Sequence, residues 1–245
     1  MFPYRDDNPT LRTPVVTFLI IAANAAVWVL VQGMGTDPAL PRSVCELGLI
    51  PGEFLHQVPR GYSVPLGPGM RCVLGVGETW YTPLTSMFLH GGWFHLIGNM
   101  WFLWVFGNNV EDSMGRGRFA VFYLLCGLAA AATQVLLSPT SPVPMVGASG
   151  AISGVMGAYV ILYPFVRVHM LVVLVVFITR IVVPAYLMLG YWFLIQLLGG
   201  AATFGGEGGV AFWAHVGGFV AGALLVFPFR DPVLVAQHRR LASTV

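Results

Sequence analysis

Long stretches without a charged residue constrain this chain more than any other feature of its sequence. Arg118 and Arg167 bracket 48 uncharged residues, and residues 79–110 add another 32. A membrane-spanning helix needs about 20 mostly apolar residues. Charged residues make up 9% of the chain, against about 25% in soluble domains, and are too few to cover a soluble surface. The composition excludes a soluble enzyme, a disordered chain and a nucleic-acid-binding domain, and it predicts a polytopic membrane protein.

Six membrane helices are predicted from the charge-free stretches and their breaks. Helix 1 lies between Arg12 and Asp37, which enclose 24 uncharged residues. A proline-rich turn at 138–144 divides the longest stretch, because proline cannot continue a helix. The other predicted bounds are 95–109 for helix 2, 119–137 for helix 3, 147–163 for helix 4, 181–198 for helix 5 and 210–229 for helix 6. Residues 168–179 are apolar but too short to span, and we expect them at the membrane interface, packed on the protein.

The arginines predict the orientation of these helices. Nine of the 12 arginines fall in the two tails or in the loops after helices 2 and 4, which all lie on one side. Positive side chains favour the cytoplasmic side, so both termini are expected in the cytoplasm, with the chain in a prokaryotic inner or plasma membrane. The predicted organisation is a tail at 1–12, a membrane domain at 13–230 with a long outer first loop at about 34–92, and a tail at 231–245. The turns at 138–146 and 199–209 then face outward.

Polar side chains stand near the outer ends of three predicted helices. His95 and Asn99 lie at the start of helix 2, Ser149 at the start of helix 4 and His215 in the first turns of helix 6. A polar group within a bilayer costs several kcal/mol unless it has a partner. We therefore expect these three helix ends to converge. The predicted spans contain no Asp or Glu, and Glu111 lies at the end of helix 2.

Small residues predict that helices 4 and 6 pack closely. A small-xxx-small pattern lets two helix backbones approach each other. The glycines concerned are Gly150 and Gly154 on helix 4, Gly218 and Gly222 on helix 6, and Gly147, two residues before Ser149. This packing would bring the His215 imidazole within hydrogen-bond reach of Ser149, and a serine that contacts a histidine is an activated nucleophile. The alternatives are a helix N-cap for Ser149 and a helix-stabilising hydrogen bond for His215.

His95 and Asn99 are four residues apart and therefore share one face of helix 2. Both side chains can donate hydrogen bonds, and with the backbone N–H of Ser149 they resemble an oxyanion hole. A metal site of His90, His95 and His215 is the alternative, but no cysteine or acidic ligand accompanies these histidines. We expect neither a metal nor another cofactor.

Three segments that carry these residues resemble the rhomboid family of intramembrane serine proteases. They are HGGWFHLIGN at 90–99, GASG at 147–150 and AHVGG at 214–218, and the resemblance extends over nearly the whole chain. It implies a rhomboid-like six-helix bundle, with Ser149 as nucleophile and His215 as general base. It also implies His95 and Asn99 as oxyanion donors. His90 and Glu111 match family positions with a structural role.

The resemblance implies an endopeptidase that hydrolyses a peptide bond in or near the transmembrane segment of another protein. Its partners would be such membrane-protein substrates and the lipid bilayer, with no nucleic acid and no nucleotide, and its site would face the outer side. Some relatives carry an aromatic residue one turn after the serine, stacked on the histidine. Ser153 takes that position here, so another group has to orient His215. A catalytically silent rhomboid-like protein that binds membrane clients, and a small transporter, are the alternatives.

The cysteines fall into two groups. Cys45 and Cys72 both lie in the outer first loop, where an oxidising compartment permits a disulfide. Two unpaired thiols are the alternative. Cys126 lies in helix 3 and is expected to be a free, buried thiol.

Overall fold

The computed structural model describes residues 2–67, 70–174, 177–202 and 211–242. The helices are α1 Val15–Leu30, α2 Ala39–Leu47, α3 Pro51–Phe54, α4 Thr82–Thr85, α5 Trp93–Met114, α6 Arg116–Leu137, α7 Ser149–Leu162, α8 Ala185–Ala202, α9 Phe212–Phe229 and α10 Pro232–Ala242. The strands are β1 Phe2–Asp6, β2 Ser63–Gly67, β3 Met70–Val73, β4 Arg167–Leu174 and β5 Phe177–Pro184. Most of the turn expected at 199–209 lies outside the described residues.

The six predicted membrane helices correspond to α1, α5, α6, α7, α8 and α9. Within the described part of the chain, α6, α8 and α9 are long and apolar enough to cross a membrane. The apolar helices α1 and α7 are shorter, and α5 has 22 residues but carries two acidic residues near its end. The number of six membrane crossings therefore stays a prediction.

Helix α5 is longer than the predicted 95–109, because its acidic end has partners. It continues to Met114 and ends at Gly115, whose φ of +79° suits a glycine after a helix. The buried Glu111 carboxylate accepts hydrogen bonds from the backbone N–H groups of Val16 (3.0 Å) and Thr17 (2.8 Å). These N–H groups open α1 and have no partner within that helix, so Glu111 caps α1.

Residues 167–174 and 177–184 form two antiparallel strands, so the all-α prediction is wrong for these residues, and α8 begins at Ala185 instead of residue 181. β4 pairs antiparallel with β5 on one side and with β1 on the other, in the order β1-β4-β5. Val168, Met170 and Val172 are buried on one face of β4. This period of two, rich in β-branched residues, suits a strand, and the N-terminal segment supplies its partner.

Both tails pack against one end of the bundle, and the C-terminal one is a helix where the sequence predicted only a tail. The Asn109 amide, near the end of α5, donates to the carbonyl of Pro9 at 3.2 Å and lies 3.5 Å from Nε2 of His238 in α10. The His238 and Tyr163 rings are 4.7 Å apart. The tails therefore lie where α5 and α7 end.

The core is built around α7, which packs between α5, α6 and α9. Bulky side chains such as Phe106, Phe119 and Tyr159 have no exposed surface. The contact between α7 and α9 is made by backbone instead. A Cβ at Gly218 or Gly222 would overlap the carbonyl of Gly150 or Gly154, respectively, on the facing helix. These four residues form what we call the glycine seam.

The first loop packs at the end of the bundle opposite to the tails. A disulfide joins Cys45 of α2 to Cys72 of β3. Leu49 exchanges two backbone hydrogen bonds, of 3.0 and 2.7 Å, with Met145 in the turn before α7. The loop and the start of α7 are therefore held together.

Candidate active site

Ser149 and His215 meet across the glycine seam. Ser149 is the first residue of α7, and His215 lies in the first turn of α9. The Ser149 hydroxyl Oγ is 2.7 Å from Nε2 of His215. Ala148, not Ser149, holds the N-cap position of α7, and no side chain caps this helix. The serine hydroxyl is thus free to bond to the imidazole.

The second nitrogen of His215 is bonded to a residue of α8. Nδ1 of His215 lies 2.7 Å from Oε1 of Gln196, whose side chain is 7% exposed. The Trp192 ring, one turn earlier on α8, lies 5.8 Å from the imidazole centroid to centroid, with the two planes tilted by 40°. The Gln196 amide therefore holds the imidazole at the nitrogen opposite to Ser149, and the Trp192 ring lies beside the imidazole.

Ser153 occupies the position at which some relatives carry an aromatic residue. Its hydroxyl donates to the Ser149 carbonyl at 2.6 Å, a bond to the preceding helical turn, and its side chain is fully buried. Ser153 thus bonds to the backbone of α7, and the imidazole is oriented by α8 instead.

His95 and Asn99 of α5 surround the backbone of Gly147. A Cβ at Gly147 would lie 2.7 Å from His95 Nε2 and 3.5 Å from Asn99 Nδ2, and its φ of +129° also favours glycine. Asn99 is 8% exposed, and its Nδ2 has no hydrogen-bond partner among the described residues. A buried donor without a partner costs free energy of folding. The Asn99 amide is therefore available to donate a hydrogen bond to a ligand.

The hydrogen bond from Gly91 indicates which nitrogen of His95 can donate. The backbone N–H of Gly91 points at His95 Nδ1 at 3.3 Å, so Nδ1 is the acceptor. In a neutral imidazole the other nitrogen then carries the proton. Nε2 of His95 is thus a donor, on the side of Gly147.

A cavity of about 510 Å³ contains these groups, with Ser149, His215 and His95 in its wall. Ser86 and Gln134 add polar groups to the wall. A narrower crevice of about 190 Å³ continues between α5 and α8, past Asn99 and Trp192. Ser149 therefore borders both the larger cavity and an apolar crevice between helices.

The remaining predicted site residues lie around this centre. The backbone of His90 exchanges two 2.8 Å hydrogen bonds with the Gln32 side chain, and its ring lies 5.2 Å from that of His95. Glu111 lies at the other end of α5. Among the described residues, no three His, Cys, Asp or Glu side chains are grouped as metal ligands would be.

Gln196 and Trp192 were missed in the sequence. A lone amide in an apolar helix is a signal, since a polar group in a membrane segment usually marks a partner or a site. The sequence does not say which residue that partner is, because Gln196 and His215 belong to different helices. Only the packing of α8 on α9 identifies it.

Comparisons with known proteins identify related sequences. A family model described as the Rhomboid domain matches residues 77–232. The chain is 33% identical over 182 residues to Rhomboid protease GluP of Bacillus subtilis, covering 74% of this chain and 32% of that protein. It is 30% identical over 163 residues to RHOMBOID-like protein 5 of Arabidopsis thaliana, covering 62% of this chain and 52% of that protein. It is 28% identical over 152 residues to Putative rhomboid protease YdcA of Bacillus subtilis, covering 62% and 64%.

The apolar helices and this match define an integral membrane protein. The chain belongs to the rhomboid family. It spans between about a third and two thirds of the length of the three relatives named.

Proposed function

We propose that this chain is an intramembrane serine endopeptidase that uses a Ser149–His215 dyad. The observation that carries the proposal is the 2.7 Å contact between Ser149 Oγ and His215 Nε2. Two of the relatives bear the word protease in their names, which supports the same reading. No acidic side chain completes a triad among the residues described around His215, so the imidazole acts with neutral partners.

The first half of the reaction forms an acyl-enzyme. Ser149 Oγ attacks the carbonyl carbon of the scissile peptide bond while Nε2 of His215 takes the hydroxyl proton. The carbonyl oxygen becomes an oxyanion, which accepts hydrogen bonds from His95 Nε2–H, Asn99 Nδ2–H and the N–H of Ser149. The C–N bond then breaks, and the leaving amine takes the proton from His215.

The second half releases the acyl group. Water attacks the ester carbon as Nε2 of His215 removes its proton, and the same three donors hold the second oxyanion. The ester bond breaks, Ser149 Oγ recovers a proton from His215, and the carboxylic acid product leaves. The polar side chains of Ser86 and Gln134 in the wall of the larger cavity suit the supply of this water.

Membrane proteins with a locally extended transmembrane segment are the proposed substrates. A peptide bond within a stable helix is shielded and not extended enough for attack. The crevice between α5 and α8 is lined by Phe94, Phe102 and Met156, and Ser149 is also in its wall. This apolar lining suits a segment that arrives from the lipid phase.

The proposed orientation puts the dyad at the outer face of a prokaryotic inner or plasma membrane. Arg5, Arg12 and Arg118 lie with the tails, at the end of the bundle opposite the dyad, in accord with a cytoplasmic location of positive charge. The disulfide lies at the dyad end, in accord with an oxidising compartment. The state of its cysteines in native protein is the test, given in the Discussion.

The proposed chemistry is tested with purified protein and a model transmembrane substrate. Ser149→Ala and His215→Ala are each expected to remove nearly all cleavage, and the double variant to be no slower than either, because groups that act as a unit are non-additive. A fluorophosphonate is expected to label wild type at Ser149. Chelators are expected to leave the rate unchanged.

The outcomes separate this proposal from its alternative. Cleavage retained by clean Ser149→Ala would exclude a serine mechanism. Substrate binding without cleavage or labelling in wild type would favour a silent protein that binds membrane clients.

A further inference from the structure

The contact between α8 and His215 is not part of the dyad, and it fixes a property on which the dyad depends. Gln196 lies within an apolar helix, is 7% exposed and bonds to His215 Nδ1 at 2.7 Å. An amide buried in such a helix costs free energy unless it has a hydrogen-bond partner. Its partner is the imidazole nitrogen opposite to the one that meets Ser149.

The second hydrogen bond of Gln196 determines which end of its amide faces the histidine. Nε2 of Gln196 donates to the carbonyl of Trp192 at 3.4 Å, on the preceding turn of α8. A flipped amide would set two carbonyl oxygens against each other at that point. Oε1, which can only accept, is therefore the atom directed at His215.

An acceptor at Nδ1 determines the tautomer of His215. A neutral imidazole carries one proton, and only Nδ1–H can satisfy Gln196 Oε1 at 2.7 Å. Nε2 is then the basic nitrogen, with its lone pair toward the Ser149 hydroxyl at 2.7 Å. The opposite tautomer would set Nδ1 and Oε1 as two acceptors in contact and would leave Ser149 without a base.

We propose that Gln196, on α8, is the positioning residue of this site, which holds His215 as the Nδ1–H tautomer with Nε2 facing Ser149. The inference rests on the proposed serine endopeptidase function. Trp192 complements the amide. The centroid of its ring lies 5.8 Å from that of the imidazole, and this contact limits the rotation of the imidazole. Together they supply the orientation that Ser153 cannot.

A neutral amide orients the imidazole but adds no charge. A carboxylate in this place would also stabilise the imidazolium that forms as Nε2 takes the proton, at the cost of a buried charge. Gln196 thus separates orientation from charge stabilisation. This predicts that an acceptor of the same length keeps the tautomer, whereas an apolar side chain of similar size loses it.

The test compares Gln196→Leu and Gln196→Glu with wild type, with Leu198→Ala as control. Leu198 is on the same helix, is 61% exposed and does not touch the site. Gln196→Leu is expected to slow both peptide cleavage and Ser149 labelling by a fluorophosphonate about 10- to 100-fold, the scale for a misplaced catalytic group. KM is expected to change little, since the amide lies behind the imidazole. Gln196→Glu is expected to recover most of the rate.

A spectroscopic measurement keeps the proposal testable even if Gln196→Leu folds poorly. In wild-type protein with ¹⁵N-labelled histidine, the His215 signal, identified by its loss in His215→Ala, is expected to be that of a neutral ring protonated at Nδ1. A ring protonated at Nε2 would overturn the proposal, and so would full-rate labelling of Gln196→Leu. If wild type is not labelled at all, the proposed serine mechanism is wrong. The spectrum still decides the tautomer of His215 in that case.

Discussion

Gly147 determines how closely the side chains of His95 and Asn99 can approach the backbone before Ser149. The missing Cβ leaves room for both side chains beside the segment that leads into Ser149. Asn99 has no partner for its Nδ2 in the described residues, although it is almost fully buried. At the scale of single residues, the proposed oxyanion hole therefore already contains a donor, Asn99 Nδ2, that has no partner among the described residues.

Asn99→Ala tests this reading directly. Loss of one oxyanion donor typically lowers kcat about 10²–10³-fold, and this is the loss we expect, with little change in KM because the bond matures in the transition state. The variant is expected to react with a fluorophosphonate still, since the dyad is intact. Single-turnover cleavage and melting temperature are measured on the same preparation.

Asn108→Ala is the matched control for this variant. Asn108 lies on the same helix at the far end, where its amide donates to Thr10 at 2.8 Å. It is expected to cleave at the wild-type rate. A destabilised Asn99→Ala protein with unimpaired turnover would make Asn99 a helix brace and remove it from the site.

At the scale of elements, the glycine seam sets the distance between α7 and α9. Gly218 and Gly222 face carbonyl oxygens across the seam, so the contact cannot relax by a change of rotamer. The seam was predictable from sequence, because small residues recur at helical spacing on both helices. The seam brings the helices that carry Ser149 and His215 together, and Gln196 and Trp192 of α8 then contact the imidazole.

Gly218→Ala is expected to push α9 away from α7 and to separate the dyad. A displacement of about 1 Å costs about 10²-fold in rate, and overpacking costs about 1–3 kcal/mol of stability. Fluorophosphonate labelling and thermal melting measure the two effects. Gly190→Ala makes the same change on α8, where a Cβ meets no atom within 4 Å, and is expected to be neutral. Labelling of Gly218→Ala at the wild-type rate would show that the glycine seam can accommodate a Cβ without separating Ser149 from His215.

The strand β1 is the element whose packing depends on pH. Burial raises the pKa of Asp6 from 3.8 to about 6, even though the Tyr159 hydroxyl donates to its carboxyl group. The folded chain therefore holds this proton more tightly than the unfolded chain does. Stability is expected to fall as pH rises from about 4 to about 6, and the contribution is lost above that window.

Asp6→Asn is expected to flatten this dependence. The amide keeps an acceptor for Tyr159 but cannot ionise. The wild-type decline corresponds to at most about 3 kcal/mol, since one pKa unit is about 1.4 kcal/mol and solvent reduces the effect. Melting temperatures of both proteins at pH 4.5 and pH 7 give the difference. Parallel curves for the two proteins would assign the pH dependence to other groups.

The elements that the sequence missed share one cause. The charge-free stretches, and the prolines that interrupt them, predict the positions of six helices to within several residues, because membrane burial excludes charge. These helices are α1, α5, α6, α7, α8 and α9. The pairing of β4 with β1 joins residues about 165 positions apart in the chain, and such pairing has no local signal. Gln196 is similar, since its meaning depends on His215.

At the scale of the whole molecule, the two ends of the bundle differ in chemistry. One end carries both tails, the three-stranded sheet and many of the arginines. The other carries the dyad and the disulfide-linked first loop, which is hydrogen-bonded to the turn before α7 through Leu49 and Met145. This polarity could be predicted from the arginines, whereas the bond between the loop and the turn could not.

The Cys45–Cys72 disulfide is expected to be present in native protein from an oxidising host and to stabilise the dyad end. The two cysteines are 27 positions apart, and closing a loop of this size contributes about 3–4 kcal/mol in the chain-entropy estimate. Cys45→Ser/Cys72→Ser is expected to melt at a lower temperature than wild type, and reductant to affect wild type alone. Mass spectrometry without reduction detects the bridge. Alkylation of both thiols in native protein would contradict the bridge and the outward orientation of this end.

The backbone contact in the glycine seam has a consequence for engineering. In this chain main-chain atoms of the seam set the distance between α7 and α9, and with it the spacing of the proposed nucleophile Ser149 and the proposed base His215. The crevice walls on α5, at Phe94 and Phe102, belong to another helix. A randomised library confined to those two positions is therefore expected to vary the proposed cleavage preference while every member retains the Ser149–His215 pair.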